Sequence, residues 1–167
     1  MLDDEITAAA ERVLAACRAH GLMVATAESC TGGLVAGALT AIAGSSDVVD
    51  RGFVTYSNAA KEAMLGVSPA ILGRHGAVSR ETAEAMAQGA LANSLAAITV
   101  AITGIAGPGG GSADKPVGLV HFAAAARDGR RIHHEKRYGD IGRTPVRMHC
   151  VIEALAMIEA LAKPPNP

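Results

Sequence analysis

The sequence predicts a three-layer α/β/α sandwich around a mixed, mostly parallel sheet of about five strands. Three observations lead there. Short apolar runs alternate with helical patterns along most of the chain, which is how strands joined by crossover helices read. Half of the 167 residues are hydrophobic and 19% are charged, so the chain can bury a core without staples and is not disordered. Two late strands meet at Asp128-Gly129, a hairpin turn that makes this last pair antiparallel.

Taken in order, residues 6–20 place Ile6, Ala10, Val13, Leu14 and Cys17 on one helical face, and Gly21 stops the helix. Residues 22–25 read as the first strand, ending in Thr26-Ala27-Glu28-Ser29-Cys30-Thr31-Gly32-Gly33. A small-residue helix over 34–43 follows, then a turn at 44–47 and a second strand at 53–56. Ser57-Asn58 caps a helix running to Leu65, and Ser68-Pro69 opens another with proline at the first helical position. Ser79 starts a longer helix ending near Asn93, and residues 97–102 form an apolar third strand. Residues 117–125 and 131–138 are the hairpin strands, and 145–162 form an amphipathic C-terminal helix. Residues 1–163 read as one domain and 164–167 as a frayed Pro-rich tail.

Composition excludes several functions. With 15 basic and 16 acidic residues the net charge is −1, which leaves no broad cationic surface for duplex nucleic acid. No Trp, two Tyr and two Phe leave no base-stacking platform. The three cysteines have no CxxC spacing, so neither a disulfide framework nor a structural zinc site is expected. The acidic N-terminus is unlike a signal peptide, and the apolar stretches are too short to span a bilayer. The expectation is a cytoplasmic chain with reduced thiols.

Chemistry concentrates in two loops at strand ends, where open α/β sheets bind ligands. In the first, Ser29 sits at a strand-to-helix bend, and the N–H groups of Cys30, Thr31 and Gly32 are free to hold an oxyanion or phosphate. The same residues also suit a plain helix cap with glycines that permit tight packing. The second loop, residues 103–112, carries five glycines without the spacing of a P-loop or a dinucleotide fingerprint. It suits either close backbone approach to a ligand or a surface connection.

A serine needs a base. His20, His75, His133 and His134 fall in turns or on an edge strand, and His121 alternates into a buried strand. No histidine spacing supports a metal. Lys61 lies one turn into the helix after Tyr56-Ser57-Asn58. If the first two strands are neighbours, Tyr56, Lys61 and Ser29 converge, and a desolvated lysine can serve as a base. The alternative is an ordinary solvated helix cation. Cys30 reads either as a nucleophile at a helix start or as a small buried hydrophobe.

Six blocks then stand in order: residues 27–33, 44–46, 51–58 with Lys61, 75–79 (His-Gly-Ala-Val-Ser), 103–108 (Thr-Gly-Ile-Ala-Gly-Pro) and 115–118 (Lys-Pro-Val-Gly). Together they closely resemble the CinA C-terminal domain family over nearly the whole chain, in particular its stand-alone nicotinamide-nucleotide amidases. The resemblance implies hydrolysis of the carboxamide of nicotinamide mononucleotide to nicotinate mononucleotide and ammonia, with no cofactor and no metal. It implies Ser29 as nucleophile, Lys61 as its base and Tyr56 as an assisting hydroxyl. Glu28, Cys30, Thr31, Gly32, Gly33, Thr103, Gly104 and Gly107 are then the expected substrate-binding residues, with Glu28 either offsetting the pyridinium charge or acting structurally. The stretch 139–147 departs from the family pattern by an apparent two-residue insertion, which leaves Arg143 and Arg147 as alternatives for the phosphate. The resemblance also implies a homodimer. The rival expectation is a non-catalytic nucleotide-binding module of the competence-damage-inducible type, in which regulation rather than nucleotide salvage is the role.

Overall fold

The computed structural model describes residues 3–165, so the first two and last two residues of the expected N-terminal and tail segments lie outside the described residues. The strands are β1 (Val24–Glu28), β2 (Val49–Val54), β3 (Ile98–Gly104), β4 (Leu119–Ala126) and β5 (Arg131–Arg137). The helices are α1 (Asp4–Ala19), α2 (Leu34–Thr40), α3 (Asn58–Leu65), α4 (Pro69–His75), α5 (Arg80–Ala92) and α6 (Arg143–Ala162). The sheet order is β2-β1-β3-β4-β5. β1 pairs in parallel with both β2 and β3, whereas β4 runs antiparallel to β3 and to β5. Thus β2, β1, β3 and β5 point one way and β4 the other.

Side-chain size differs between the two faces of the sheet. Val100, Ile102, Val120 and Phe122 point into a core closed by α1, α2 and α6. Ala27, Ala101, Ala123 and Ala125 point to the other face, where α5 packs. Strand alternation sends successive residues to opposite faces. The alanine face lets α5 come close to the sheet, and α3 comes close to α5 in turn. A Cβ on Gly89 of α5 would lie 2.0 Å from the Leu65 carbonyl oxygen at the end of α3, so only glycine allows this contact. That contact presses α3, which carries Lys61, against the sheet.

Several boundaries differ from the sequence expectation. β1 continues through Thr26-Ala27-Glu28, and β2 lies earlier, at Val49–Val54 rather than 53–56. Glu28 is opposite Val54 in register, and the Thr55 N–H still reaches the Glu28 carbonyl at 2.8 Å. Beyond that point β2 has no partner, and the chain turns into α3. α6 starts at Arg143, two residues before the expected Pro145. Proline falls in its first turn, where the missing N–H has no acceptor to lose.

Candidate active site

The strand order reverses between β1 and β3: the chain goes from β1 outward to β2, then crosses back to β3 on the other side. A crevice opens at the carboxyl ends of the strands at such a point. Ser29 is the first residue beyond β1, and its N–H donates to the Ile102 carbonyl of β3 at 2.9 Å. The chain then folds back on itself, with the Gly32 N–H bonded to the Ser29 carbonyl at 3.0 Å. Gly32 and Gly33 adopt φ of +59° and +98°, a region that side chains other than glycine enter at a cost. The bonded Gly32 N–H is therefore not a free donor, contrary to expectation. Those of Cys30 and Thr31 have no oxygen acceptor among the described residues.

Lys61 enters the crevice from α3. Ser57 caps that helix by accepting from the Ala60 N–H at 3.0 Å, which sets Lys61 one turn along it. The lysine is 1% exposed. Its Nζ lies 3.0 Å from Ser29 Oγ, 3.0 Å from the Thr55 carbonyl and 3.4 Å from the Tyr56 carbonyl. A neutral amine has two N–H donors and one lone pair. Two carbonyls take the donors, and the lone pair is left to face the serine hydroxyl. Burial disfavours the ammonium form and pushes the Lys61 pKa below its usual value, against a smaller opposing pull from Cys30. Ser29 and Lys61 therefore form a buried, hydrogen-bonded pair in which burial makes the lysine easier to deprotonate than a solvated one.

A cavity of about 200 Å³ opens on this pair, lined among others by Cys30, Tyr56, Asn58, Thr103, Gly104 and Arg143. Tyr56 is 62% exposed, and its hydroxyl accepts from Arg143 Nη2 at 3.0 Å at the mouth. Its hydroxyl has no hydrogen bond to Ser29 or Lys61; the Tyr56 carbonyl makes the contact with the lysine. Arg143 Nη1 donates to the Gly107 carbonyl at 2.9 Å. Both acceptors are neutral, so this guanidinium faces the cavity without a carboxylate partner. Arg147, one turn further along α6, bonds the Cys30 and Thr31 carbonyls, each at 3.1 Å. Both of those contacts hold the turn that follows the serine.

The Thr103 hydroxyl donates to the Ala77 carbonyl at 2.7 Å and so binds the β3 end to the wall formed by Ala77 and Val78. Gly104 and Gly107 are packed tightly: a Cβ would meet a Val120 methyl at 2.7 Å and a Val117 methyl at 2.6 Å respectively. Lys115 ties the glycine-rich loop to the same wall by donating to the His75 carbonyl at 2.7 Å.

Of the expected substrate contacts, Glu28, Thr31, Gly32, Gly33, Gly107 and Arg147 do not line the cavity. Glu28 is fully buried, and its carboxylate accepts from Thr26 Oγ1, Val35 N and Ala36 N at 3.1, 2.9 and 3.0 Å. It caps α2 from inside, as a carboxylate at a helix start does, and does not reach the cavity. Gly33 lines a separate groove with Leu34, Gly37 and Met148. Thr31 is fully buried, with its hydroxyl unpartnered. Conversely, Asn58, Ala77, Val78 and Ala106 line the cavity without having been singled out. Asn58 reads as part of a helix cap and of the 51–58 block, without a substrate role, and the other three have no polar side-chain atom to flag them. The His121 ring lies 3.0 Å from that of His133, nitrogen to nitrogen. The described residues contain no group of three or more His, Cys, Asp or Glu placed to hold a metal.

The CinA C-terminal domain model matches residues 6–162. The chain belongs to the CinA C-terminal domain family. Among solved members, the competence/damage inducible protein CihA of Agrobacterium tumefaciens is 61% identical, with a TM-score of 0.96 over 98% of this chain and 99% of that one. The nicotinamide-nucleotide amidohydrolase PncC of Enterobacter agglomerans is 51% identical over 84% of this chain and 85% of its own length. The Escherichia coli K12 protein of that name is 49% identical over 93% of both chains. Other members are much longer: the chain spans only 26% of the putative competence-damage inducible protein of Caldicellulosiruptor bescii and 35% of the CinA-like protein of Anaeromyxobacter dehalogenans. Among the described residues no helix is long and apolar enough to cross a membrane.

Proposed function

We propose that the chain is a nicotinamide-nucleotide amidase that hydrolyses the carboxamide of nicotinamide mononucleotide to nicotinate mononucleotide and ammonia. The observation that carries this reading is the 3.0 Å contact between Ser29 Oγ and the buried Lys61 Nζ. The relatives that match along most of their length and bear the amidohydrolase name support the same substrate.

The chemistry runs as follows. Neutral Lys61 takes the Ser29 proton as Oγ attacks the amide carbon. The Cys30 N–H group holds the resulting oxyanion, contributing about 3 kcal/mol to the transition state. The lysine, now an ammonium held by the Thr55 and Tyr56 carbonyls, protonates the departing ammonia. Water then releases the nicotinate ester from Ser29, with Lys61 again the base. A cavity of about 200 Å³ suits the pyridine carboxamide alone. The ribose phosphate extends to the mouth, where Arg143 exchanges its neutral acceptors for an anion. Tyr56 orients that guanidinium rather than touching the nucleophile.

Ammonia release from nicotinamide mononucleotide tests the proposal. Ser29→Ala is expected to fold with unchanged circular dichroism, to bind the nucleotide, and to release no ammonia above background. If the wild-type chain binds the nucleotide without turnover, it is a binding module instead. The homodimer is also a proposal, and sedimentation velocity tests it directly.

A further inference from the structure

Exposure divides the cavity into three levels. Ser29, Cys30, Lys61 and Thr103 are buried and form its floor. Ala77 and Val78 are half-buried and form an apolar wall with no side-chain donor or acceptor. Tyr56, Asn58 and Arg143 are exposed and form the rim. Two of these three are already engaged: Arg143 donates to the Tyr56 hydroxyl at 3.0 Å and to the Gly107 carbonyl at 2.9 Å. Asn58 differs from both. It is the first residue of α3, yet the Ser57 hydroxyl, and not the Asn58 amide, caps that helix. The Asn58 side chain has no hydrogen-bond partner among the described residues, so its Nδ2 donors and Oδ1 acceptor are open. Neither the helix cap nor the chemistry assigned to Ser29 and Lys61 uses it.

We infer that Asn58 is a specificity-determining residue that binds the ribose hydroxyls of the substrate, an inference that rests on the amidase reading above. The three levels of the cavity follow the order of the nucleotide's own parts. The carboxamide must reach the Ser29 hydroxyl on the floor, and the flat pyridine ring then lies along the apolar wall. The sugar and the phosphate are left at the rim. Arg143 is the cation there and takes the phosphate. The ribose diol is uncharged and offers donors and acceptors side by side. A neutral amide, with donor and acceptor on one planar group, matches it, whereas a guanidinium has donors only. The helix links this contact to the chemistry. Asn58 and Lys61 are three residues apart and share a face of α3. A ribose held by Asn58 fixes how far the nucleotide enters and so sets the amide carbon against Ser29.

The test compares nicotinamide mononucleotide with its 2′,3′-dideoxyribose analogue on the wild-type chain and on Asn58→Ala. The wild type is expected to prefer the ribose form by about tenfold in kcat/KM, a modest ratio because hydrogen bonds at a rim compete with water. Asn58→Ala is expected to bring that ratio to within about twofold, chiefly by raising KM for the ribose form. Arg143→Met should keep the ribose preference and lose the preference for the mononucleotide over the riboside. Asn58→Ala that retains the full ribose preference would overturn the inference. So would a loss that tracks replacement of the carboxamide by its methyl ester, which would set Asn58 on the amide instead. Calorimetric titration of both nucleotides onto Ser29→Ala, with and without Asn58→Ala, reads the same ratio without turnover. A wild type that binds but releases no ammonia therefore ends the amidase reading and leaves the ribose contact to be decided by those affinities.

Discussion

The turn after β1 and the glycine-rich loop after β3 face each other across one cavity, and only the first places proton-transfer groups in it. The first turn carries Ser29, presents the Cys30 N–H, and is held from below by Glu28 and from the side by Arg147. The second is held at its edges, by Arg143 at Gly107 and by Lys115 at His75, and adds shape rather than reactivity. Both are rich in glycine for different physical reasons. Gly32 and Gly33 are needed for their positive φ, which lets the chain reverse directly after the serine. Gly104, although its φ is ordinary, is needed because a side chain would overlap Val120. Glycine content alone therefore does not tell a reactive turn from a wall.

Removing the base should break this contrast most severely. Lys61→Met is expected to lower amide hydrolysis by a factor on the order of 10³ or more. It should change the melting temperature little, because removing a buried ionisable group offsets the loss of the donor to the Thr55 carbonyl. Calorimetry beside an ammonia assay checks both. A stable variant that retains turnover would return the first turn to the status of a helix cap.

pH sharpens the same point. Burial lowers the Lys61 pKa in the folded chain below its unfolded value near 10.5. Between those two values the folded state holds fewer protons than the unfolded one, so stability rises with pH through that window and is lower beneath it. The neutral amine grows over the same window, so kcat/KM should rise with pH and level off below 10.5. Lys61→Met should remove the stability slope.

The two arginines of α6 separate the turn from the loop. Arg147→Met should lower kcat by roughly 10²-fold with little change in KM, because the Cys30 and Thr31 carbonyls lose their anchor. Arg143→Met should raise KM for the mononucleotide about tenfold and alter kcat little. Steady-state kinetics on both variants distinguishes anchoring of the turn from recognition of the phosphate. Thr103→Val should have the smallest effect. Leaving the Ala77 carbonyl without its donor should cost about 1 kcal/mol of stability, read from urea unfolding, while turnover stays within a factor of about two.

Much of this is legible in residue type and spacing. The Ser57 cap places Lys61 one turn into a helix, and the Asp128-Gly129 hairpin reverses the last strands, because local chemistry decides caps and tight turns. The position of β2 was less legible. Residues 49–52 lack a continuous apolar run, and only pairing with β1 makes them a strand. Glu28 looked like a ligand because a carboxylate next to a serine turn is a chemical signal. Its burial under α2 depends on helix placement, which no spacing reports. Tyr56 shows the same limit. Its side chain was the expected assistant, yet its carbonyl holds the lysine, and a backbone atom leaves no mark in the residue type.

The sequence alone determined the alternation of strands and helices, the caps, the two glycine-bearing turns and the inventory of Ser29, Lys61 and the arginines. These follow from local propensity, periodicity and side-chain chemistry. Tertiary structure decided which of those groups meet. It joined residues 29 and 61 across the β1–β2 pairing, buried the lysine so that its pKa falls below the usual value, and divided two arginines one turn apart between a backbone anchor and an open mouth. Each outcome depends on distance and solvent exclusion, quantities that exist only once separate segments pack together.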